Sequence, residues 1–179
     1  MDARVFQVRL LAAPPTKKEK MNIFVFDEDT KASAQYFFSK DPLRARKQIV
    51  EATQMIAIAA DSLSLPHLIK CNGEAYKVTS HRLHPCSKWV RESLQNLIWT
   101  IFYTLDLCTE YERQSGKPHM CHITLLNWLK STSGWLRKHS ENLPEAIPEF
   151  FGDDLYTRGT EKASTAYKKY RIYLRNKLL

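Results

Sequence analysis

The stretch Ser87–Arg113, SKWVRESLQNLIWTIFYTLDLCTEYER, decides the fold. Val90, Leu94, Leu97, Ile101, Leu105 and Cys108 recur in it at steps of three or four residues. That is the period of one helix face, so the spacing predicts a single long helix with these side chains as its buried seam. Pro85 suits the entry to such a helix and Ser87 is a common cap, while Gly116 and Pro118 stop it. A second series, Glu92, Asn96, Trp99, Tyr103, Asp106 and Glu110, runs beside the seam at the same steps. A stripe of carboxylates and large rings can line a pocket; it is equally what a solvated helix face packed on a neighbour looks like.

Working outward, Ala45, Ile49, Ala52, Ile56 and Ala59 predict an amphipathic helix over Arg44–Ala60, ending near Asp61 and Ser62. LIKCNGEAYKV follows, with Asn72-Gly73 between two short arms, a β-hairpin signal with a type I′ turn. Upstream, NIFVFDEDT is an apolar run of strand type that ends in an acidic turn able to cap a helix. Downstream, a helix is expected around Ile123–Lys130, with a weaker pattern on to His139, then a loop at Pro144–Pro148 and a last helix over Thr160–Lys177. PPTKKEK, Pro14–Lys20, has linker character. The expected architecture is mostly α: residues 1–20 as a basic extension, then a single compact helical domain over 21–179 with a small β-hairpin and a basic C-terminal helix.

The totals agree with this organisation. A chain of 179 residues with 44% hydrophobic and 26% charged residues and 5 glycines suits one globular, helix-rich domain. No apolar run approaches the roughly 18–20 residues that cross a bilayer, and Arg4 and Arg9 interrupt the N-terminal apolar patch, so a soluble cytoplasmic protein is expected. Cys71, Cys86, Cys108 and Cys121 lack CxxC spacing and are expected as reduced thiols. Of the net charge of +8, residues 1–20 carry +3, residues 153–179 carry +4, and everything between carries +1. A nearly neutral body with basic ends suits phosphate contact, as it would suit solvated tails.

Two clusters, His81 to Cys86 and His119 to His122, offer imidazoles and thiols, but not at the spacing of a zinc finger or ribbon, so no metal and no cofactor is assigned. In the tail AYKKYRIYLRNK, Tyr170 stands among Lys168, Lys169, Arg171 and Arg175, where bases can stack on rings while phosphates meet the cations. The alternative is a helix that packs its tyrosines inward and solvates its cations. Arg44, Arg46 and Lys47 make a second basic spot. No GxGxxG turn, Walker loop, GxSxG elbow or HExxH helix is present, which disfavours those enzyme classes.

MNIFVFDED at Met21–Asp29, IVEATQM at Ile49–Met55, YKVTSHRLHPCSKWVRESLQNLIW at Tyr76–Trp99 and LCTEYERQSGKPH at Leu107–His119 resemble a family of small proteins encoded by tailed bacteriophages. The resemblance runs from Met21 over most of the chain. It implies a phage protein acting in the bacterial host cytoplasm, with residues 1–20 upstream of the usual start. Some members of that family are distantly similar to pyrimidine-dimer DNA glycosylases, compact α-helical enzymes that use a terminal amine and a glutamate. The amine is not carried over, because Met1 is followed by Asp2 and Met21 by Asn22. Before its first expected helix this chain has YFFSKDPLRAR where members carry a histidine- and cysteine-containing run.

Three readings follow. In DNA processing of base-excision type, Glu92 or alternatively Glu51 assists glycosidic cleavage, and Trp89, Trp99 and Tyr103 form the pocket for a flipped base. In a non-catalytic counter-defence protein that sequesters a small nucleotide signal, His81, His84, Arg91, Asn96 and Trp99 grip phosphate and base. In a host-protein interaction module, the stripe is an interface. Nucleic acid or nucleotide is the expected partner; enzymatic activity and homo-oligomerisation stay open.

Overall fold

The computed structural model describes residues 22–27, 29–137, 146–148 and 160–162, with side chains as far as Thr132. Five helices make up most of it: α1 Thr30–Lys40, α2 Pro42–Ser62, α3 Pro85–Glu92, α4 Leu94–Ser115 and α5 Met120–Arg137. Two short strands, β1 Ala146–Pro148 and β2 Thr160–Lys162, pair antiparallel. The mostly helical class is as expected; the expected loop at Pro144–Pro148 contains β1, and the expected last helix begins instead as β2. The remainder of that helix and residues 1–20 lie outside the described residues.

The long helix is two helices. Ser93 has an extended backbone, φ −143° and ψ 158°, and its Oγ accepts from the Asn96 amide at 3.1 Å, capping α4. Asn96 Nδ2 in turn donates to the Trp89 carbonyl at 2.8 Å, satisfying one of the carbonyls that the end of α3 leaves open. A serine cap contributes about 1 kcal/mol and a buried hydrogen bond about 1 kcal/mol, so together they offset much of the loss of helical bonds at the break. The cap of α3 is His84 rather than Ser87: His84 Nδ1 accepts from the Cys86 amide at 3.2 Å with Pro85 in the first turn, and Ser87 is wholly buried.

Helix α2 meets its expectation closely. Asp41 caps it by accepting from the Arg44 amide at 3.0 Å, Pro42 opens it, and Ala45, Ile49, Ala52, Ile56 and Ala59 are all buried. It packs on α4 and α3, and α1 packs on α4 as well. Helix α1 takes in the YFFSK run that the sequence places before the first helix; Asp29 caps it, and Phe37 and Phe38 fill the core.

Asn22–Phe26 is buried but forms no strand among the described residues. Side chains take the place of a sheet partner: the Phe24 amide donates to Gln48 Oε1 at 3.2 Å, the Phe26 amide to Ser33 Oγ at 2.9 Å, and Tyr103 Oη donates to the Phe24 carbonyl. The turn at Asn72-Gly73 is not type I′. The Gly73 amide bonds to the Lys70 carbonyl at 2.9 Å and only Gly73 has positive φ, +85°, so a type I turn over 70–73 ends in a left-handed glycine. The arms shrink to a single bridge, Ile69 with Ala75. Helix α5 starts earlier than expected because His119 Nδ1 accepts from the Cys121 amide at 3.1 Å.

Candidate functional site

Residues 85–92 alternate between two environments. Cys86, Ser87, Trp89 and Val90 are buried, whereas Lys88 and Glu92 are exposed and Arg91 is half-buried. Positions 88, 91 and 92 are one helix face. That face meets the end of α2 and the turn before α3 to form an open cleft of about 690 Å³ lined by Ser62, Arg82, Lys88, Arg91 and Glu92. Arg82 is fixed by Asp61, Nη1 to Oδ2 at 2.7 Å, and His67 stands 4.0 Å from the other oxygen of the same carboxylate. Among the described residues neither Lys88 nor Arg91 is in an ion pair. Three cations and one carboxylate around open space fit an anionic ligand.

The expected aromatic pocket is packed shut. Trp89 meets Trp99 edge to face at 5.7 Å between ring centroids, and Trp99 stacks on Tyr103 at 5.3 Å. The three retain only 4%, 3% and 0% exposure, and Asn96 retains 8%. These four side chains hold α3, α4 and the Asn22–Phe26 segment together, and no ring face is left open to a base. The stripe does not survive as a surface: Glu110 is also buried, its carboxylate gripped by Arg113 at 2.9 and 2.7 Å and by Gln114 at 2.7 Å, and Asp106 accepts from Thr30 Oγ1 at 2.6 Å. The Arg113 guanidinium holds the Glu110 carboxyl below the usual carboxylate range.

The candidate carboxylates Glu92 and Glu51 are separated. Glu51 lies mid-α2, eleven residues before Ser62 and hence about 16 Å from the cleft end of that helix. Its oxygens meet the Asn22 amide at 3.4 Å and Lys47 at 3.7 Å. Around it, Asn22 Oδ1 accepts from Cys86 Sγ at 3.6 Å and the Asn22 carbonyl from Gln48 at 2.8 Å. His81, exposed with φ +60°, and His84, the α3 cap, flank the turn that carries Arg82.

In the two His/Cys clusters His84 and His119 cap helices, His81 is exposed and His122 stands 3.6 Å from the Glu112 carboxylate, and among the described residues no three His, Cys, Asp or Glu side chains converge as a metal set. All four cysteines are free thiols; burial, first of all, raises Cys108 well above the usual thiol range. Of the second basic spot, Arg44 pairs with Asp41 at 3.5 Å and Arg46 lies over the Tyr111 ring at 5.8 Å. Lys168, Lys169, Tyr170, Arg171 and Arg175 lie outside the described residues. No described helix is long and apolar enough to cross a membrane.

Sequence reasoning found Arg91 and Glu92 but missed Ser62, Arg82 and Lys88. The signal for Lys88 was available, since 88, 91 and 92 share the i, i+3, i+4 spacing of one face. Ser62 and Arg82 arrive from separate segments and only packing joins them. Comparison of the chain with protein-family models, with curated proteins and with solved structures returns no match.

Proposed function

We propose that this protein binds phosphate-bearing ligands, nucleic acid or a nucleotide, in the cleft between the end of α2 and α3. The observation that carries the reading is the convergence of Arg82, Lys88 and Arg91 on one open surface, two of them uncommitted to ion pairs among the described residues. Arginine and lysine there supply charge-assisted donors to phosphate oxygens. Base-excision chemistry at this cleft would use Glu92 as its carboxylate, since a ligand held by Lys88 and Arg91 meets Glu92 and not Glu51, but it would need a base pocket other than the packed Trp89, Trp99 and Tyr103. Action in a bacterial host cytoplasm as a phage protein is supported by the sequence resemblance alone.

The test is fluorescence-anisotropy binding of the full chain to duplex DNA, single-stranded DNA and free nucleotides over a salt series. Nucleic-acid binding is expected to weaken steeply with salt, and the double charge reversal Lys88→Glu/Arg91→Glu to reduce both the affinity and the slope. Tight stoichiometric nucleotide binding with a shallow slope turns the reading toward sequestration of a nucleotide signal. A variant as tight as wild type on every ligand removes the cleft from the function. If turnover is detected, Glu92→Gln is expected to stop it and spare binding.

A further inference from the structure

We propose that Cys71 and Cys121 form an oxidant-sensitive pair, joined by peroxide into a disulfide that staples the 70–73 turn to the first turn of α5. Cys71 Sγ donates to the Met120 carbonyl at 3.5 Å and lies 3.7 Å from Thr124 Oγ1. Residues 120, 121 and 124 are mutual neighbours on a helix surface, so the Cys71 sulfur rests on the patch of α5 to which Cys121 belongs. Backbone dimensions put the Cys121 Cα about 3 Å from the Met120 carbonyl oxygen, and so within about 6–7 Å of that sulfur. Tyr76 marks the same place. Its Oη is 3.6 Å from Cys121 Sγ, and burial first, then the neighbouring Cys121 and Cys71, raises its phenol above the usual range.

The sulfurs differ in access. Cys71 is exposed, whereas Cys121 keeps 6% exposure and Cys108, which also has Cys121 nearby, keeps none. Oxidant in solution therefore meets Cys71 first, and Cys121 is the thiol within reach to resolve it. Peroxide converts the Cys71 thiol to a sulfenic acid: an S–O bond forms, the O–O bond breaks and one water leaves. The Cys121 sulfur then attacks the Cys71 sulfur and displaces the hydroxyl, which takes the Cys121 proton and leaves as a second water. The two thiols give up two electrons and peroxide accepts them. The arms around the turn pair through a single bridge, Ile69 with Ala75, so little sheet opposes the small shift that closes the bond. Cys71 and Cys121 are 50 positions apart in sequence, so the bond closes a long loop and restrains the unfolded chain.

The experiment treats the reduced full chain with hydrogen peroxide, blocks the remaining thiols with N-ethylmaleimide in urea and maps the unreduced peptides by mass spectrometry. A peptide pair joined through Cys71 and Cys121, about 2 Da lighter than the two thiol peptides and separated by dithiothreitol, is expected. The oxidised chain is expected to unfold at a higher urea concentration than the reduced one. Cys121→Ser is expected to lose the link and leave Cys71 as a sulfenic acid that dimedone traps. Cys121 still taking N-ethylmaleimide after oxidation, Cys121 joined to Cys108 instead, or a link found only between two chains overturns the pair. An unchanged urea midpoint overturns the staple. None of these outcomes involves a ligand, so the phosphate-binding reading of the cleft stands or falls separately.

Discussion

The inward and outward sides of Pro85–Trp99 belong to one short run of chain and do opposite work. Inward, Trp89, Trp99 and Tyr103 form a packed ladder, with Tyr103 Oη donating to the Phe24 carbonyl and Asn96 Nδ2 to the main-chain carbonyl of Trp89. Outward, Lys88, Arg91 and Glu92 face open space and make few commitments. The large side chains that look most like a ligand pocket are the ones the fold consumes. The side chains left over for a ligand are ordinary surface charges gathered by packing.

Several substitutions can break that division. The largest effect is expected from Trp99→Ala: removing a buried tryptophan costs about 3–5 kcal/mol, read in urea unfolding. If unfolding is unchanged while ligand binding disappears, the ladder is a pocket after all. Asn96→Ala strips the Trp89 carbonyl of its donor and is expected to cost about 1–3 kcal/mol. Ser93→Ala removes the α4 cap and is expected to cost about 1 kcal/mol in the same assay. Lys88→Glu/Arg91→Glu closes the series, with stability held within about 0.5 kcal/mol of wild type and the whole effect on ligand affinity.

Acid probes a third place, the start of α5. Burial, with Arg46 and His122 nearby, lowers the His119 pKa from its ordinary 6.5, and Nδ1 of its neutral form accepts the Cys121 amide. The unfolded chain therefore binds the proton more readily, and stability is expected to fall as pH drops below about 6.5. His119→Asn keeps a capping acceptor without a titrating group. Chemical denaturation across the mildly acidic range is expected to show a flatter profile for this variant, and an identical profile would remove His119 as the source.

How far the sequence could be read depended on whether a signal was local. Helix α2 was legible because its buried alanines and isoleucines keep one period from end to end, although it starts at Pro42, capped by Asp41, rather than at Arg44. The break at Ser93 was hidden because Val90, Leu94 and Leu97 keep helical spacing across it, and the serine needed only an extended backbone to restart the count. The turn type at Asn72-Gly73 was hidden for a related reason: Gly73 announces a turn, but its type depends on which neighbours are free to bond. Arg91 and Glu92 were legible as chemistry, whereas the stripe to which Glu92 was assigned was not, since the burial of Asn96, Trp99, Tyr103 and Glu110 is a property of the assembled bundle.

The interruption at Ser93 has one further consequence. In an unbroken helix, positions 92, 96 and 99 would share a face, and Glu92 would be drawn toward the tryptophans. One extended residue resets the phase, so the face of α3 that lines the cleft is uncoupled from the rings packed beneath α4. Charges at 88, 91 and 92 can be altered for a ligand without disturbing those rings, which makes this single serine the joint between the packed ladder and the cleft.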